Sequence, residues 1–445
     1  MGVLQRLTLH RPETRAWALY DWANSAYFTV IVAAVFPYYF NEVAGADLAD
    51  GEATRRYSLI TSASMVLVAL LAPVLGAMAD YAGARKKLLG LFLALGVAAT
   101  ACMFFVYEGD WRLGGALVLL GNVGIVGSIV CYDGLLAHVA REDEIDRLST
   151  TGYGLGYLGG GLLLGLNIAW IGNPELLGLP VGDDLSPAQK TLPVRLAFLS
   201  VAVWWALFSI PLFLRVPEPA AVADADERAG GAVLSTAFRR LRETLRELRG
   251  YRHAFVLLLA SLVYGEGIGT IIKMAGAYAA DLELDRNAVF VAFFLTQFIG
   301  IPFAVLFGWL AGRIGARGAI YITLAVYVGV CIYGFFLETE RDFYVLALTV
   351  GMVQGGAQAL SRSLFARLIP AHKSTEFFGF FAFASKLAGS VGPFVFFAIG
   401  EAMGSNRYAI LGLFFFFVLG GFLLSRVDVR AGELAAREAE DRLAG

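Results

Sequence analysis

Charge is scarce in this chain. Only 16% of its 445 residues are Asp, Glu, Lys or Arg, against 58% that are hydrophobic. That balance excludes an ordinary soluble fold, because the apolar residues come in repeated blocks of about 20, the length that spans a bilayer. Cysteine is almost absent. Cys102, Cys131 and Cys331 fall inside apolar runs with no CxxC pairing, which argues against both a disulfide framework and a zinc site. Four histidines, His10, His138, His253 and His372, lie at or beyond span ends, so a buried pair of haem ligands is hard to build. No cofactor or metal is expected. A net charge of −2 argues against nucleic acid as a partner. Neither a Walker-type loop nor a nucleophile–base arrangement is present, which argues against an enzyme. A receptor needs a sizeable extramembrane domain, and the longest polar segment is one central loop. The N-terminal stretch lacks a signal-peptide cleavage pattern.

What is present begins with Arg15 to Phe40, RAWALYDWANSAYFTVIVAAVFPYYF. It is long enough to cross the hydrocarbon, yet Tyr20, Asp21, Asn24 and Ser25 interrupt it. An acid at that depth faces a bundle interior or a wet cavity, because lipid penalises it. Trp17 and Trp22 sit where indole rings favour the interface. The segment reads as a first transmembrane helix carrying part of a polar site.

Twelve spans are expected, at roughly 16–40, 57–79, 88–107, 113–139, 151–171, 194–215, 252–280, 288–311, 318–337, 343–369, 376–401 and 407–426. With the N-terminus inside, 25 of the 35 Lys and Arg residues fall in inner segments, 8 in outer ones, and Lys273 and Lys386 within spans. The positive-inside rule then places both termini in the cytoplasm. The expected organisation is a six-helix bundle over 1–215, a cytoplasmic linker over 216–250, a second bundle over 251–426 and a cytoplasmic tail over 427–445. In the linker, Leu234, Phe238, Leu241, Leu245 and Leu248 form one helical stripe with arginines on the other faces. That pattern suits an amphipathic helix on the anionic inner leaflet, or a solvated connecting helix.

The halves repeat each other. GAMADYAGARKK after span 2 carries Gly76, Asp80, Gly83 and Arg85; GWLAGRIGARGA after span 8 carries Gly308, Gly312, Gly315 and Arg317, 232 residues later. Duplicated six-span units are a common transporter construction, with the site between the repeats. The GxxxDxxGxR pattern, its echo and the six-plus-six spans resemble the major facilitator superfamily. ALYDWANSAY (Ala18 to Tyr27), FPYYF (Phe36 to Phe40), GYLGG (Gly156 to Gly160), GGAQALSRSLFARLIP (Gly355 to Pro370) and EFFGFFAFASK (Glu376 to Lys386) resemble its vacuole-effluxer branch, the autophagy-related amino-acid effluxers and their bacterial relatives. The resemblance implies an all-α polytopic membrane protein with twelve transmembrane helices in two pseudo-symmetric six-helix bundles. It also implies a gating role for Asp80, Gly83 and Arg85, against which stands a plain positive-inside loop. Gly312 occupies the place of Asp80 in the second motif, so the two loops are not expected to share one charge role.

In that superfamily spans 1, 4, 7 and 10 line the central cavity. Span 1 offers Tyr20, Asp21 and Asn24, and span 4 offers Asn122 near mid-depth with Asp133 near its inner end. Glu266 on span 7 has Lys273 seven residues on, sharing its face. Gln354, Gln358 and Arg362 form a polar stripe on span 10, and Lys386 lies near mid-depth on span 11. Asp133 and Arg362 are expected to approach when the cavity closes to the cytoplasm; solvation of each at a span end is the competing reading. Asp21 and Glu266 are the proton-coupling candidates, because burial lets a carboxyl titrate near neutrality. A fixed ion pair with Lys273 or Lys386 is the other role for Glu266, and a helix-start cap the other role for Asp21. Gly152, Gly156 and Gly160 read as close packing. Gly389, Gly392 and Pro393 suit either a bend or close packing.

The expected function is secondary transport of a small polar solute, an amino acid or related zwitterion, by alternating access and with protons as the coupling ion. A proton-coupled drug or metabolite exporter is the alternative, followed by a receptor. The expected partners are that solute, the lipid bilayer and protons, with the chain a monomer in a bacterial plasma membrane.

Overall fold

The computed structural model describes residues 2–49, 52–81, 83–182, 184–219, 233–282, 284, 286–389 and 391–444. Among them are twelve helical segments long and apolar enough to cross a bilayer. Spans 1 to 6 are Pro12–Ala44, Glu52–Asp80, Arg85–Phe105, Trp111–Val139, Ile145–Gly172 and Leu192–Arg215. Spans 7 to 12 are Arg252–Ala275, Val291–Ile314, Ala316–Phe335, Glu340–Leu368, Ala371–Met403 and Asn406–Ser425. Large apolar side chains such as Leu59, Leu214 and Phe394 lie exposed on the outer surface, as lipid rather than water requires.

Local chemistry sets where the helices begin and turn. Span 10 opens on a capping box: Asp342 N–H donates to the Thr339 hydroxyl at 3.2 Å, and Thr339 N–H donates to the Asp342 carboxylate at 3.0 Å. Glu340 and Asp342 occupy its first turn and Arg367 its last, the polarity a helix dipole favours. Span 1 is α-helical over Pro12–Ala26 and widens to π-helical turns over Tyr27–Ala34. The Val35 N–H there reaches five residues back, to the Val30 carbonyl at 2.8 Å. Such widening is rare and concentrates at functional sites.

Within each set of six spans the pairings correspond: span 2 packs on 4, 3 on 4 and 1 on 6, matching 8 on 10, 9 on 10 and 7 on 12. Two seams join the sets, span 2 against span 11 and span 5 against span 8. Both termini lie at one face. Arg11 bonds Glu144 at 2.6 Å, and Arg437 of the C-terminal helix Val429–Ala444 bonds Glu142, both in the loop between spans 4 and 5. Along the span 5–8 seam, contacts run from Thr150 against Gly308 near that face to Gly161 against Phe298. At Gly165, one turn further out, a Cβ meets open space. The halves are in contact at the termini face, and on the span 5–8 seam that contact does not extend to Gly165.

Most of the Pro217–Gly231 linker lies outside the described residues. The helix predicted after it is present as Val233–Gly250, with side chains described from Arg242 onward. It does more than lie on lipid. Leu248 is fully buried, and Thr244 donates a hydrogen bond to Glu376 at 2.5 Å, while Arg242, Arg246 and Arg249 stay exposed.

Candidate functional site

Arg362 sits near the termini end of span 10, and everything it bonds belongs to the first six spans. Its Nη2 donates to Asp21 Oδ2 of span 1 at 3.1 Å and to the Ser149 carbonyl of span 5 at 3.0 Å. Nη1 donates to Asp133 Oδ1 of span 4 at 3.3 Å, and Nε to the Ser149 hydroxyl at 2.9 Å. The guanidinium also lies over the rings of Tyr153 and Trp17, 4.5 and 4.9 Å from their centroids. A planar five-donor cation is suited to this, since it bridges two carboxylates while stacking on aromatics. Gly152 makes the approach possible, for a Cβ there would run into the Asp21 carboxylate. Asp21 and Arg362 are both buried, and separating a buried pair costs about 3–5 kcal/mol when one charge is left alone.

The span 2–11 seam holds a second cluster. Asp80, at the end of span 2, accepts from Arg85 Nε at 2.6 Å and from the Glu376 backbone N–H at 2.8 Å. The acceptor therefore stands at the first turn of the Ser374–Ala388 helix, where a negative charge is stabilised. Arg85, fully buried, also donates to the Thr375 hydroxyl and the His372 carbonyl, each at 3.0 Å. Gly83 supplies the turn with φ +55°, a conformation glycine adopts without penalty. Gly76 admits the backbone of Thr375 where any Cβ would collide.

The remaining predicted residues are dispersed. Tyr20 is fully buried inside the first half, its ring 4.8 Å from that of Tyr132. Asn24 donates to the Tyr20 carbonyl at 2.7 Å, satisfying its own helix. Asn122 ties span 4 to span 2 through Ser64 at 3.1 Å and to span 1 through Tyr27 at 3.3 Å. Gln354 and Gln358 are half-buried. Glu266 accepts from the Gly392 N–H at 3.2 Å, and Lys273 donates to the Gly389 carbonyl at 2.8 Å. Among the described residues, neither Glu266 nor Lys386 forms a salt bridge.

Sequence reasoning missed an outer tier at the same face. Asp146 accepts from Ser363 at 2.6 Å and from Arg367 at 2.8 Å, and Arg367 also bonds Glu433 of the C-terminal helix. The signal was present in the pattern. Asp146, Ser149 and Tyr153 recur at helical spacing on span 5, opposite Arg362, Ser363 and Arg367 on span 10. The C-terminal helix, expected only as a tail, lies across the closed face.

Comparison with known proteins bears on the family and the fold. A family model described as vacuole effluxer Atg22 like matches residues 53–437. The uncharacterized MFS-type transporter YxiO of Bacillus subtilis is 34% identical over 432 residues, covering 96% of this chain and 98% of that protein. Autophagy-related protein 22 of Cryptococcus neoformans is 27% identical over 315 residues, covering 66% of this chain and 52% of the fungal protein. Among solved structures, the major facilitator transporter FucP in its outward conformation aligns with a TM-score of 0.68 at 15% identity, over 93% of this chain and 98% of its own. The human organic anion transporter MFSD10 aligns at 0.71 and 17%, over 95% and 100%. At such identities these structures speak for the fold alone. The family match and the bacterial relative carry more: the chain belongs to the Atg22-like vacuole effluxer family of the major facilitator superfamily and is an integral membrane transporter.

Proposed function

We propose that this transporter moves an amino acid or related zwitterion by alternating access, with protons as the coupling ion. The two halves, 1–215 and 251–426, rock about the central site, joined by the 216–250 linker and closed over by the 427–445 tail. The termini face is cytoplasmic, by the distribution of basic residues, and the membrane is a bacterial plasma membrane. The protein works as a monomer. The observation that carries this reading is Arg362, whose bonds to Asp21, Asp133 and Ser149 all cross between the halves. Each must break for the cytoplasmic side to open, so the closed arrangement is one end state of a cycle. Asp80, Gly83 and Arg85 brace the same state on the span 2–11 seam.

Asp21 and Glu266 remain the proton-coupling candidates. Asp21 shares one guanidinium with Asp133, so a proton on either carboxyl weakens the hold on Arg362. The test is counterflow of amino acids in proteoliposomes without nucleotide. Asp21→Asn and Glu266→Gln are expected to flatten the pH dependence of uptake; an unchanged profile in both removes proton coupling through these groups. Uptake of apolar cations, lost with a single acid, would replace the amino-acid reading with drug export.

A further inference from the structure

Span 11 is two helices, Ser374–Ala388 and Val391–Met403, meeting at mid-depth in the membrane. A broken span leaves unpaired carbonyls at one end and unpaired N–H groups at the other, which hydrocarbon does not satisfy. Span 7 supplies both corrections. Lys273 donates to the Gly389 carbonyl, and Glu266 accepts from the Gly392 N–H. The signs match the dipoles: a cation at the carbonyl end, an anion at the N–H end. Gly392 is required there, since a Cβ would overlap the Thr270 hydroxyl and stand 3.0 Å from the Glu266 carbonyl. Gly389 is different. A Cβ on it meets nothing closer than 3.4 Å, so it marks the break rather than a tight contact.

With those two charges engaged, Lys386 is left over. It lies one turn before the break, half-buried, and among the described residues it has neither a hydrogen bond nor an ion pair. One turn on, the Lys273 ammonium lies 3.8 Å from where a Cβ on Gly389 would stand. Asp21 and Asp133, the other membrane-depth acids on the cavity spans, are held by Arg362. Across the break, against Gly392, the Thr270 hydroxyl is fully buried and unpartnered. In the equivalent pair of the first half, spans 1 and 5, there is no break: Gly152, Gly156, Gly159 and Gly160 pack closely against Asp21, Trp22, Ser25 and Thr29.

We propose that the break in span 11 is the subsite for the solute's anionic group, a carboxylate or comparable oxyanion, with Lys386 as its counter-ion. An uncompensated cation at this depth is costly, and a bound carboxylate supplies the missing partner through a charge-assisted hydrogen bond. Lys273, holding the break open from span 7, adds to the positive field. The inference deepens the transport reading by naming the group of the solute that the second half recognises.

The test uses the full chain in lipid nanodiscs, with alanine, leucine and glutamate as probes beside their α-carboxamides, and thermal shift titrations as the readout. The acids are expected to bind about tenfold more tightly than the amides. Lys386→Gln should erase that difference, and Lys386→Arg should retain it. Size-exclusion profiles and melting curves of the unliganded variants separate lost binding from lost folding. A wild-type protein indifferent to acid or amide, or a Lys386→Gln variant that keeps the preference, overturns the subsite. Amino-acid counterflow that persists in either case leaves the transport reading standing, whereas no binding and no counterflow with any probe removes both.

Discussion

The loop after span 2 and the loop after span 8 share a sequence pattern and a turn, yet they hold the molecule in different ways. Gly83 and Gly315 occupy equivalent positions, and both have positive φ, +55° and +79°. Gly76 and Gly308 both admit a neighbouring span from the other half. Charge is where the two diverge. Asp80 links Arg85 and the first turn of the Ser374–Ala388 helix into a buried network. At its counterpart, Gly312, the nearest groups are the guanidinium nitrogens of Arg147, and Arg147 has no ion pair among the described residues. One seam is latched by ions and the other is closed by packing. The two loops therefore share the backbone device but not the electrostatics, and only the loop after span 2 carries a buried ionic network.

The strongest way to break both seams at once is through the residue that bridges the halves between them. Arg362→Ala leaves a buried carboxylate, Asp21, and a half-buried one, Asp133, without a cation, a loss of about 3–5 kcal/mol to the closed state. Counterflow in proteoliposomes is expected to fall by about two orders of magnitude or more. The exchanged pair Asp133→Arg with Arg362→Asp keeps one ionic bond across the seam instead of two, so it should recover only part of the rate. Full recovery would mean that Asp21 takes no part.

Next comes the ionic latch itself. Asp80→Asn strands a fully buried guanidinium, so the termini face should open more often. A cysteine-free chain carrying Ser374→Cys reports this, because Ser374 is buried on the seam and bonded to the Gly134 carbonyl at 2.7 Å. Labelling by an impermeant maleimide added at the termini face is expected to rise at least about tenfold. Unchanged labelling would mean that packing alone closes that seam.

The glycines give a smaller and sharper contrast. An alanine at Gly76 pushes against the Thr375 backbone, which moves only if the two helices separate; overpacking of that kind costs about 1–3 kcal/mol. An alanine at Gly308 meets the Thr150 hydroxyl, a side chain with other rotamers. Melting temperature and labelling of the Ser374→Cys reporter should therefore respond clearly to Gly76→Ala and little to Gly308→Ala. Equal responses would erase the distinction between the seams.

How much of this was readable beforehand follows from the kind of information each feature carries. Twelve spans were legible because hydropathy is a local property, and the repeat because both loops kept their glycines. The approach of Asp133 to Arg362 came from equivalent positions on spans 4 and 10. That Asp21 joins them was not legible, since its depth alone suits a cavity wall as well as a gate. Tyr20 shows the other limit: a polar residue on the right span, whose ring lies buried in the first half, tilted against Tyr132, which its position in the sequence does not reveal. The break in span 11 was half visible as Gly389, Gly392 and Pro393. Its dependence on Glu266 and Lys273 was not, because a cap contributed by another helix leaves no periodicity in either.

The smallest expected effect tests the comparison from the other direction, by building the missing latch. A Cβ on Gly312 stands 3.3 Å from Arg147 Nη2, so Gly312→Asp places a carboxylate within reach of an unpaired guanidinium. Gly312 is exposed and Arg147 half-buried, and the long arginine loses rotamer freedom, so the gain is about 1 kcal/mol at most. Labelling of the Ser374→Cys reporter should then slow about two- to fivefold, although that thiol sits on the opposite seam. The reason is mechanical: if each half moves as one body, the seams cannot open separately, and strengthening either one slows both. Slower opening on the span 5–8 side with no change at the reporter would show that the halves flex rather than rock.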